Sequence, residues 1–140
     1  MTALGPNAPA FAWPVRIYWE DTDAGGVVFY ANYLKFFERA RTEWLRGLGF
    51  SQQAMREADG AIFVVSDTAL QYRQPARLDD ELSVTVELVE AGRASLTLQQ
   101  QAWRGATLLA EGRIRIGCVD AGNFRPRRIP NAILERLSAA

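Results

Sequence analysis

The chain has 140 residues, 49% of them hydrophobic, which is enough for one compact domain with its own core. Its 16 basic and 16 acidic side chains balance, which excludes a general electrostatic attraction to nucleic acid or to an acidic membrane. With no histidine and one cysteine, the chain cannot build a Ser-His-Asp or Cys-His nucleophile, and a zinc site would need carboxylates and a single thiol.

The N-terminal segment predicts neither export nor membrane insertion. Residues 1–13 are rich in alanine and proline and predict a flexible arm ahead of a single domain over residues 14–137. The arm has no basic n-region and no continuous apolar h-region, and no later stretch reaches the roughly 18 apolar residues of a membrane span. One cysteine cannot form an internal disulfide. We therefore expect a cytoplasmic protein.

A strand and a long helix are predicted next. Val15, Ile17 and Trp19 alternate with polar neighbours, which is typical of a half-buried strand. From about Asn32 to Leu48, apolar side chains recur at intervals of three and four, as on one face of a helix. The apolar face comprises Tyr33, Phe36, Phe37, Ala40, Trp44 and Leu48, and the polar face Lys35, Glu38, Arg39, Arg41, Glu43 and Arg46.

The rest of the chain predicts a short helix and a sheet. Residues 51–58 fit the helix, after which the hydrophobic period changes to two. Strands are predicted around residues 62–73, 82–88, 96–98 and 114–118. Short connections at Gly92 and Gly105 indicate antiparallel hairpins. Because a long helix must bury its apolar face, we expect an α+β fold in which a five-stranded antiparallel sheet wraps around one long central helix. The open edges of such a sheet favour self-association.

The loop between the first strand and the long helix carries the candidate chemistry. Its candidate carboxylates are Glu20, Asp21 and Asp23. Asp23 precedes Gly25 and Gly26, which let a backbone approach a ligand closely. Unpaired N–H groups at the start of a helix that begins near Tyr30 to Asn32 can stabilise a developing oxyanion. The alternative is structural, since loop aspartates such as Asp21 and Asp23 commonly cap a turn. The residues alone leave both interpretations open.

Other polar groups predict less. The acidic cluster at residues 79–81 fits a solvated turn, and Cys118 fits a buried, inert thiol on an apolar strand face. Arg73, Arg77 and Arg93 suit either phosphate contacts or ordinary surface positions. Neither common nucleotide-binding glycine motif is present.

One segment resembles a known family signature: residues 18–45, YWEDTDAGGVVFYANYLKFFERARTEWL. It is similar to hotdog-fold acyl-CoA thioesterases of the Tol-Pal-associated YbgC type, within the 4-hydroxybenzoyl-CoA thioesterase superfamily. The similarity continues through FSQQA at 50–54, YRQPARLDD at 72–80, CVD at 118–120 and RPRRIP at 125–130, and covers roughly residues 15–133.

The resemblance implies a hotdog fold, a homodimer or homotetramer, and hydrolysis of an acyl-CoA or acyl carrier protein thioester without metal or organic cofactor. Short or medium acyl chains are the first expectation. Asp23 would be the catalytic carboxylate, acting as general base on water or as nucleophile, and the backbone N–H of Tyr30 would polarise the thioester carbonyl.

The resemblance also implies substrate contacts. Gly25, Gly26 and Val27 would line the substrate, while Arg93 and Ser95 match the family's phosphate-contacting segment, with the coenzyme A tail crossing onto a partner subunit.

One departure from the YbgC type matters for the site: Tyr30 stands where those proteins commonly carry histidine. The 4-hydroxybenzoyl-CoA thioesterases have tyrosine there, so an aroyl thioesterase is one alternative. A second alternative is a module that binds acyl thioesters without hydrolysing them and assists envelope proteins.

Overall fold

A computed structural model describes residues 11–139. The strands are β1 (Phe11–Arg16), β2 (Ala61–Tyr72), β3 (Glu81–Ala91), β4 (Ser95–Arg104) and β5 (Thr107–Asp120). The helices are α1 (Asn32–Gly47), α2 (Gln52–Asp59) and α3 (Asn131–Ala139). The strands form one antiparallel sheet in the order β1-β3-β4-β5-β2. The predicted α+β fold is thereby confirmed.

Helix α1 packs on this sheet through the face that the sequence period predicts. Phe36, Phe37 and Ala40 are fully buried, and the helix contacts β3 and β1. Burying each phenylalanine contributes on the order of 2 kcal/mol. At the other end of α1, Gly49 has φ +97°, a left-handed conformation that glycine adopts without strain and that commonly ends a helix. Within residues 11–139, no helix is long and apolar enough to cross a bilayer.

Arg41 corrects the predicted helix faces, because it is only 9% exposed although the sequence pattern assigns it to the polar face. Its Nη1 donates to Oε1 of Gln100 at 3.0 Å. The buried amide of Gln100 in turn donates to the carbonyls of Phe37 (3.0 Å) and Thr85 (3.2 Å). Position 41 borders the apolar stripe, and this polar network lets a charged side chain enter the core.

The first strand lies earlier in the chain than predicted. Strand β1 pairs with β3 from Phe11↔Val86 to Arg16↔Glu81, so residues 11–13 of the predicted arm belong to the sheet. Residues 1–10 of that arm lie outside the described residues. Proline is tolerated here because β1 is an edge strand and Pro14 needs no ladder donor. Trp19 is not in the strand; it begins a short 3₁₀ turn and is 80% exposed.

The remaining predicted elements are present with shifted ends. Helix α2 begins after Ser51, whose Oγ accepts the Ala54 N–H at 3.2 Å as an N-cap. Strands β4 and β5 extend well beyond the short apolar segments from which they were predicted. In the added residues, side chains that are more exposed alternate with buried ones, so the apolar pattern alone did not show the full length of the strands. The sequence analysis did not predict α3, a helix with a weaker apolar stripe.

Asp80 corrects the interpretation of residues 79–81 as a merely solvated turn. Its Oδ2 accepts the Arg77 N–H and the Arg104 guanidinium, both at 2.9 Å, and Arg104 also donates to the Pro75 carbonyl at 3.1 Å. Burial raises the pKa of Asp80, but these two donors lower it more, so its pKa lies below the usual range. The carboxylate therefore fixes the connection between β2 and β3.

We expect Asp80→Asn to destabilise the protein at pH 7 by up to about 1 kcal/mol, since it removes a partly exposed ion pair. A depressed folded-state pKa gives stability that is present above the unfolded-state pKa and lost as pH falls through the folded-state pKa. The difference between wild type and variant should therefore shrink on acidification. Urea unfolding at pH 7 and near pH 3 measures it; an equal difference at both would contradict this assignment.

Candidate active site

The loop from Tyr18 to Ala31 is a small two-stranded ribbon placed just ahead of α1. Phe29 N–H donates to the Asp21 carbonyl at 3.0 Å, Asp23 N–H donates to the Val27 carbonyl at 2.8 Å, and Thr22 pairs with Val28 between them. The ribbon is joined to the β2–β3 connection, because Val28 N–H donates to the Ala76 carbonyl at 2.8 Å. The Asp23 turn is thus held against the sheet.

Asp23 lies at the tip of this ribbon with one carboxylate oxygen engaged. Its Oδ1 accepts the Gly25 N–H at 2.8 Å, and its carbonyl accepts the Gly26 N–H at 3.0 Å. Gly26 has φ +81°, which glycine adopts without strain. Within residues 11–139, no donor lies within hydrogen-bond distance of Oδ2. The turn-capping role is therefore real, and it orients the carboxylate while leaving an exposed oxygen for chemistry.

The C-terminal end of the ribbon, just before α1, has backbone N–H groups without hydrogen-bond acceptors among the described residues. Among the described residues, the N–H groups of Tyr30 and Ala31 have no acceptor, whereas Asn32 N–H donates to the Phe29 carbonyl at 2.8 Å. That bond polarises the Phe29–Tyr30 peptide and makes the Tyr30 N–H a better donor. Helix α1 adds the positive end of its dipole. Tyr30 lies in the turn that the hydrogen bond from Asn32 to Phe29 closes, directly ahead of α1.

Asn32 is a site residue that the sequence analysis missed. Its Nδ2 donates to the Asp21 carbonyl at 2.9 Å, which ties the first turn of α1 to the ribbon. Asp21 itself is occupied, because its Oδ2 accepts the Tyr18 N–H at 2.8 Å. An asparagine at the start of a helix is the only sequence signal for this contact, and it more commonly indicates a cap.

A cavity of about 240 Å³ opens beside Tyr30. Its lining residues are Val28, Tyr30, Tyr33, Tyr72, Arg73, Gln74 and Pro75. The Tyr72 hydroxyl donates to the Tyr30 carbonyl at 3.1 Å, and its ring meets those of Tyr30 and Tyr33 edge-on. Burial, and for Tyr72 also the neighbouring Tyr30, raises the pKa of Tyr33 and Tyr72, so both are neutral hydrogen-bond donors near pH 7.

The structure separates Arg93 and Ser95 from Asp23 within one chain. The Asp23 ribbon lies at the Glu81 end of β3, whereas Arg93 and Ser95 follow its other end, ten residues or about 33 Å along the strand. Ser95 Oγ accepts from Arg115 at 3.3 Å, and the Arg93 carbonyl accepts the Ile129 N–H at 2.8 Å. Gly25, Gly26 and Val27, in contrast, lie directly at the Asp23 turn.

The other candidates give no competing centre. Cys118 is buried, its Sγ lies 3.8 Å from the Arg128 carbonyl, and burial raises the pKa of its thiol, as fits an inert side chain. Among residues 11–139, no group of three carboxylate, thiol or imidazole side chains is placed to hold a metal ion.

The chain is similar to proteins of known class. Residues 17–137 match the sequence model of the Thioesterase-like superfamily. The chain is 45% identical over 123 residues to the acyl-CoA thioesterase YbgC of Haemophilus influenzae, covering 88% of this chain and 90% of that protein.

Two further comparisons agree. The acyl-CoA thioester hydrolase YbgC of Escherichia coli O6:H1 is 46% identical over 129 residues, covering 91% of this chain and 96% of that protein. The crystal structure of a probable thioesterase from Bartonella henselae matches with a TM-score of 0.83 at 30% identity, over 87% of this chain and 100% of that one. These findings confirm the hotdog resemblance.

Proposed function

This chain belongs to the Thioesterase-like superfamily, and from that premise we propose that it hydrolyses acyl-CoA thioesters to a free acid and coenzyme A, with Asp23 as the catalytic carboxylate. The observation that carries the proposal is the Asp23 turn, where one oxygen is held by the Gly25 N–H and the other has no donor among residues 11–139. The similarity of the chain to named thioesterases favours an enzyme that hydrolyses thioesters over a module that only binds them.

The position of Asp23 is compatible with two mechanisms of thioester hydrolysis. In the first, Asp23 Oδ2 takes a proton from water, the hydroxide adds to the thioester carbonyl, and the tetrahedral oxyanion collapses to acid and coenzyme A thiolate, which takes the proton. In the second, Oδ2 adds to the carbonyl itself, thiolate leaves, and water hydrolyses the mixed anhydride. Single turnover in H₂¹⁸O tests the second route, because label enters Asp23 only when water attacks the aspartyl carbonyl of the anhydride.

We propose the Tyr30 N–H as the donor that stabilises the oxyanion. Its lack of an acceptor among the described residues and its place ahead of α1 support this role. Tyr30 replaces the histidine common in YbgC-type proteins, and it has no imidazole nitrogen that could serve as a general base. Proton transfer is therefore assigned to the carboxylate alone.

The tyrosine-lined cavity is the proposed acyl site. Its volume of about 240 Å³ and its apolar rings suit a short or medium acyl chain. An aroyl group is the second candidate, because Tyr30, Tyr33 and Tyr72 offer ring edges for stacking. Hydrolysis rates that stay flat from acetyl to long acyl chains would contradict a shaped acyl site.

We expect Tyr72→Phe to lower kcat by roughly 3- to 10-fold with KM little changed, since it removes one hydrogen bond that fixes the Tyr30–Ala31 peptide. The ring, and with it the cavity wall, is retained. Steady-state kinetics with one good substrate measure the effect, and a rise in KM at unchanged kcat would assign Tyr72 to ground-state binding instead.

The position of Arg93 beyond the end of β3 that lies far from the Asp23 ribbon supports a dimer in which each site uses both subunits. Strand β2 is one of the two edge strands of the sheet. It is twelve residues long, and Val65 on it is 51% exposed. If the β2 edges of two copies pair antiparallel about a two-fold axis, the strands of the second copy run opposite to those of the first. The Arg93 turn of the second copy then lies toward the first copy's Asp23. Sedimentation measures the assembly; a monomer at micromolar concentration would contradict it.

We expect Arg93→Ala to raise KM for acyl-CoA by about tenfold through the loss of one phosphate contact, while kcat changes little. The matched substrate is the acyl-pantetheine thioester, which lacks the nucleotide and its phosphates. Its kinetics should not change. An equal loss on both substrates would show that Arg93 does not read phosphate.

We further propose a cytoplasmic location and, as a second carrier, acyl carrier protein. Comparing release of thiol from matched acyl-CoA and acyl carrier protein thioesters ranks the two carriers. The proposed link to the Tol-Pal envelope system rests on the resemblance, and co-purification of envelope proteins with the tagged enzyme tests it.

A further inference from the structure

Asn32 makes two hydrogen bonds that enclose Tyr30 and Ala31, whose N–H groups have no acceptor in the described part of the chain. Its backbone N–H donates to the Phe29 carbonyl at 2.8 Å, and its Nδ2 donates to the Asp21 carbonyl at 2.9 Å. The Asp21 carbonyl also accepts the Phe29 N–H at 3.0 Å. A single residue therefore joins both strands of the ribbon to the start of α1.

The side chain of Asn32 is not a helix cap. A capping side chain accepts a backbone N–H, and α1, whose N-cap is Ala31, has no side-chain hydrogen bond of this kind at its start. Asn32 instead donates to a carbonyl oxygen, which needs the amide nitrogen and which an ionised aspartate cannot do. Aspartate is otherwise favoured in the first turn of a helix, because its charge complements the helix dipole. The asparagine at this position thus supplies a donor.

The two bonds of Asn32 set the direction of the Tyr30 N–H. A trans peptide is planar, and its C=O and N–H point in opposite directions. The bond that holds the Phe29 carbonyl therefore also fixes the N–H of the same peptide unit, which is that of Tyr30. The Nδ2 bond to Asp21 fixes this peptide relative to the strand that carries Asp23 two residues later. Asn32 thus links the orientation of the N–H to the position of the carboxylate.

We propose that Asn32 is a positioning residue, which aims the Tyr30 N–H at the thioester carbonyl whose hydrolysis Asp23 promotes. This role rests on the proposed function. Asn32 acts through the backbone and needs no contact with the substrate. Without its side-chain bond, the turn would hold the N–H less precisely, and a misplacement of about 1 Å can cost on the order of 100-fold in rate. The loss should appear in kcat and not in KM.

The test is Asn32→Leu, which keeps the branched shape of the side chain, adds no charge and removes the donor. We expect kcat for one good acyl-CoA substrate to fall at least about tenfold, with KM within about twofold of wild type. Asn131→Leu, at the first residue of α3, is the matched control and should leave both constants unchanged. In a Tyr30→Pro background, Asn32→Leu should cause no further loss, because the N–H that it positions is already absent.

Amide hydrogen exchange of the folded protein tests the same bonds without turnover. The N–H groups of Phe29 and Asn32 should exchange at least about tenfold faster in Asn32→Leu and at the wild-type rate in Asn131→Leu. Unchanged exchange, unchanged kcat, or a full additional loss in the Tyr30→Pro background would each overturn the proposal. If Asn32→Leu does not fold, Asn32→Ala replaces it with the same expectations.

Failure of this role and failure of the proposed function give different results. Folded wild-type protein that releases no thiol would refute the proposed function and the role of Asn32 with it. Turnover by wild type together with unchanged exchange and unchanged kcat in Asn32→Leu would refute the role of Asn32 alone.

Discussion

Replacing Asp23 by asparagine should reduce acyl-CoA hydrolysis at least about 100-fold, as expected for loss of a general base or nucleophile. Asparagine keeps an oxygen that can accept the Gly25 N–H, so the turn at the ribbon tip is preserved while the charge is lost. Fold and stability should be unchanged, because Asp23 is exposed. Thiol release under saturating substrate measures the effect on kcat.

Glu20→Gln is the matched control for this experiment. Glu20 is an exposed carboxylate three residues away in the same loop, and its replacement should leave kcat within about threefold, as for a residue outside the reaction. Asp23→Asn activity within tenfold of wild type would contradict a catalytic Asp23 and leave only its turn-capping role.

Replacing Tyr30 by proline should lower kcat by about 100- to 1,000-fold, the usual cost of removing one oxyanion donor. Proline deletes the backbone N–H, which no side-chain substitution can do. Circular dichroism and the melting temperature must show that α1 is intact. Because the substitution also removes a ring from the wall of the cavity, the rate at saturating substrate, and not KM, reports the loss of the N–H.

Two variants separate the Tyr30 N–H from its neighbours. Tyr30→Phe removes only the hydroxyl and should keep most activity. Ala31→Pro removes the adjacent unpaired N–H at φ −73°, a backbone angle that proline adopts readily, and should stay within about tenfold of wild type. Loss of activity in Tyr30→Phe as complete as in an Asp23 variant would assign catalysis to the hydroxyl instead.

The sequence predicted elements with strong periodicity well. Helix α1 begins at Asn32 as expected. Five of the positions predicted to be apolar are buried on one face, which is why the period of the sequence indicated this helix. Arg41 was misplaced because periodicity ranks residues by polarity and cannot see Gln100, which is 59 positions away and provides its hydrogen bond. The predicted start of strand β1 lies too far along the chain, because its alanine and proline are not typical of a strand. Its hydrogen-bonding partner, β3, is distant in sequence, so local patterns do not indicate the pairing.

The geometry around the candidate site residues could be predicted only in part from the sequence. Asp23, Gly25 and Gly26 lie at one turn because they are adjacent in sequence. Arg93 lies at the far end of β3, since strand register and direction, not sequence spacing, decide which ends of a sheet meet. Tyr72 comes close to Tyr30 through tertiary packing, which local patterns cannot show.

The most direct test of the central claim is free-thiol release by purified wild-type protein from acetyl-, butyryl-, octanoyl-, palmitoyl- and benzoyl-CoA. The proposed function predicts clear turnover with a maximum among the substrates whose acyl group fits the 240 Å³ cavity. Folded protein that releases no thiol from any of these substrates would contradict an acyl-CoA thioesterase.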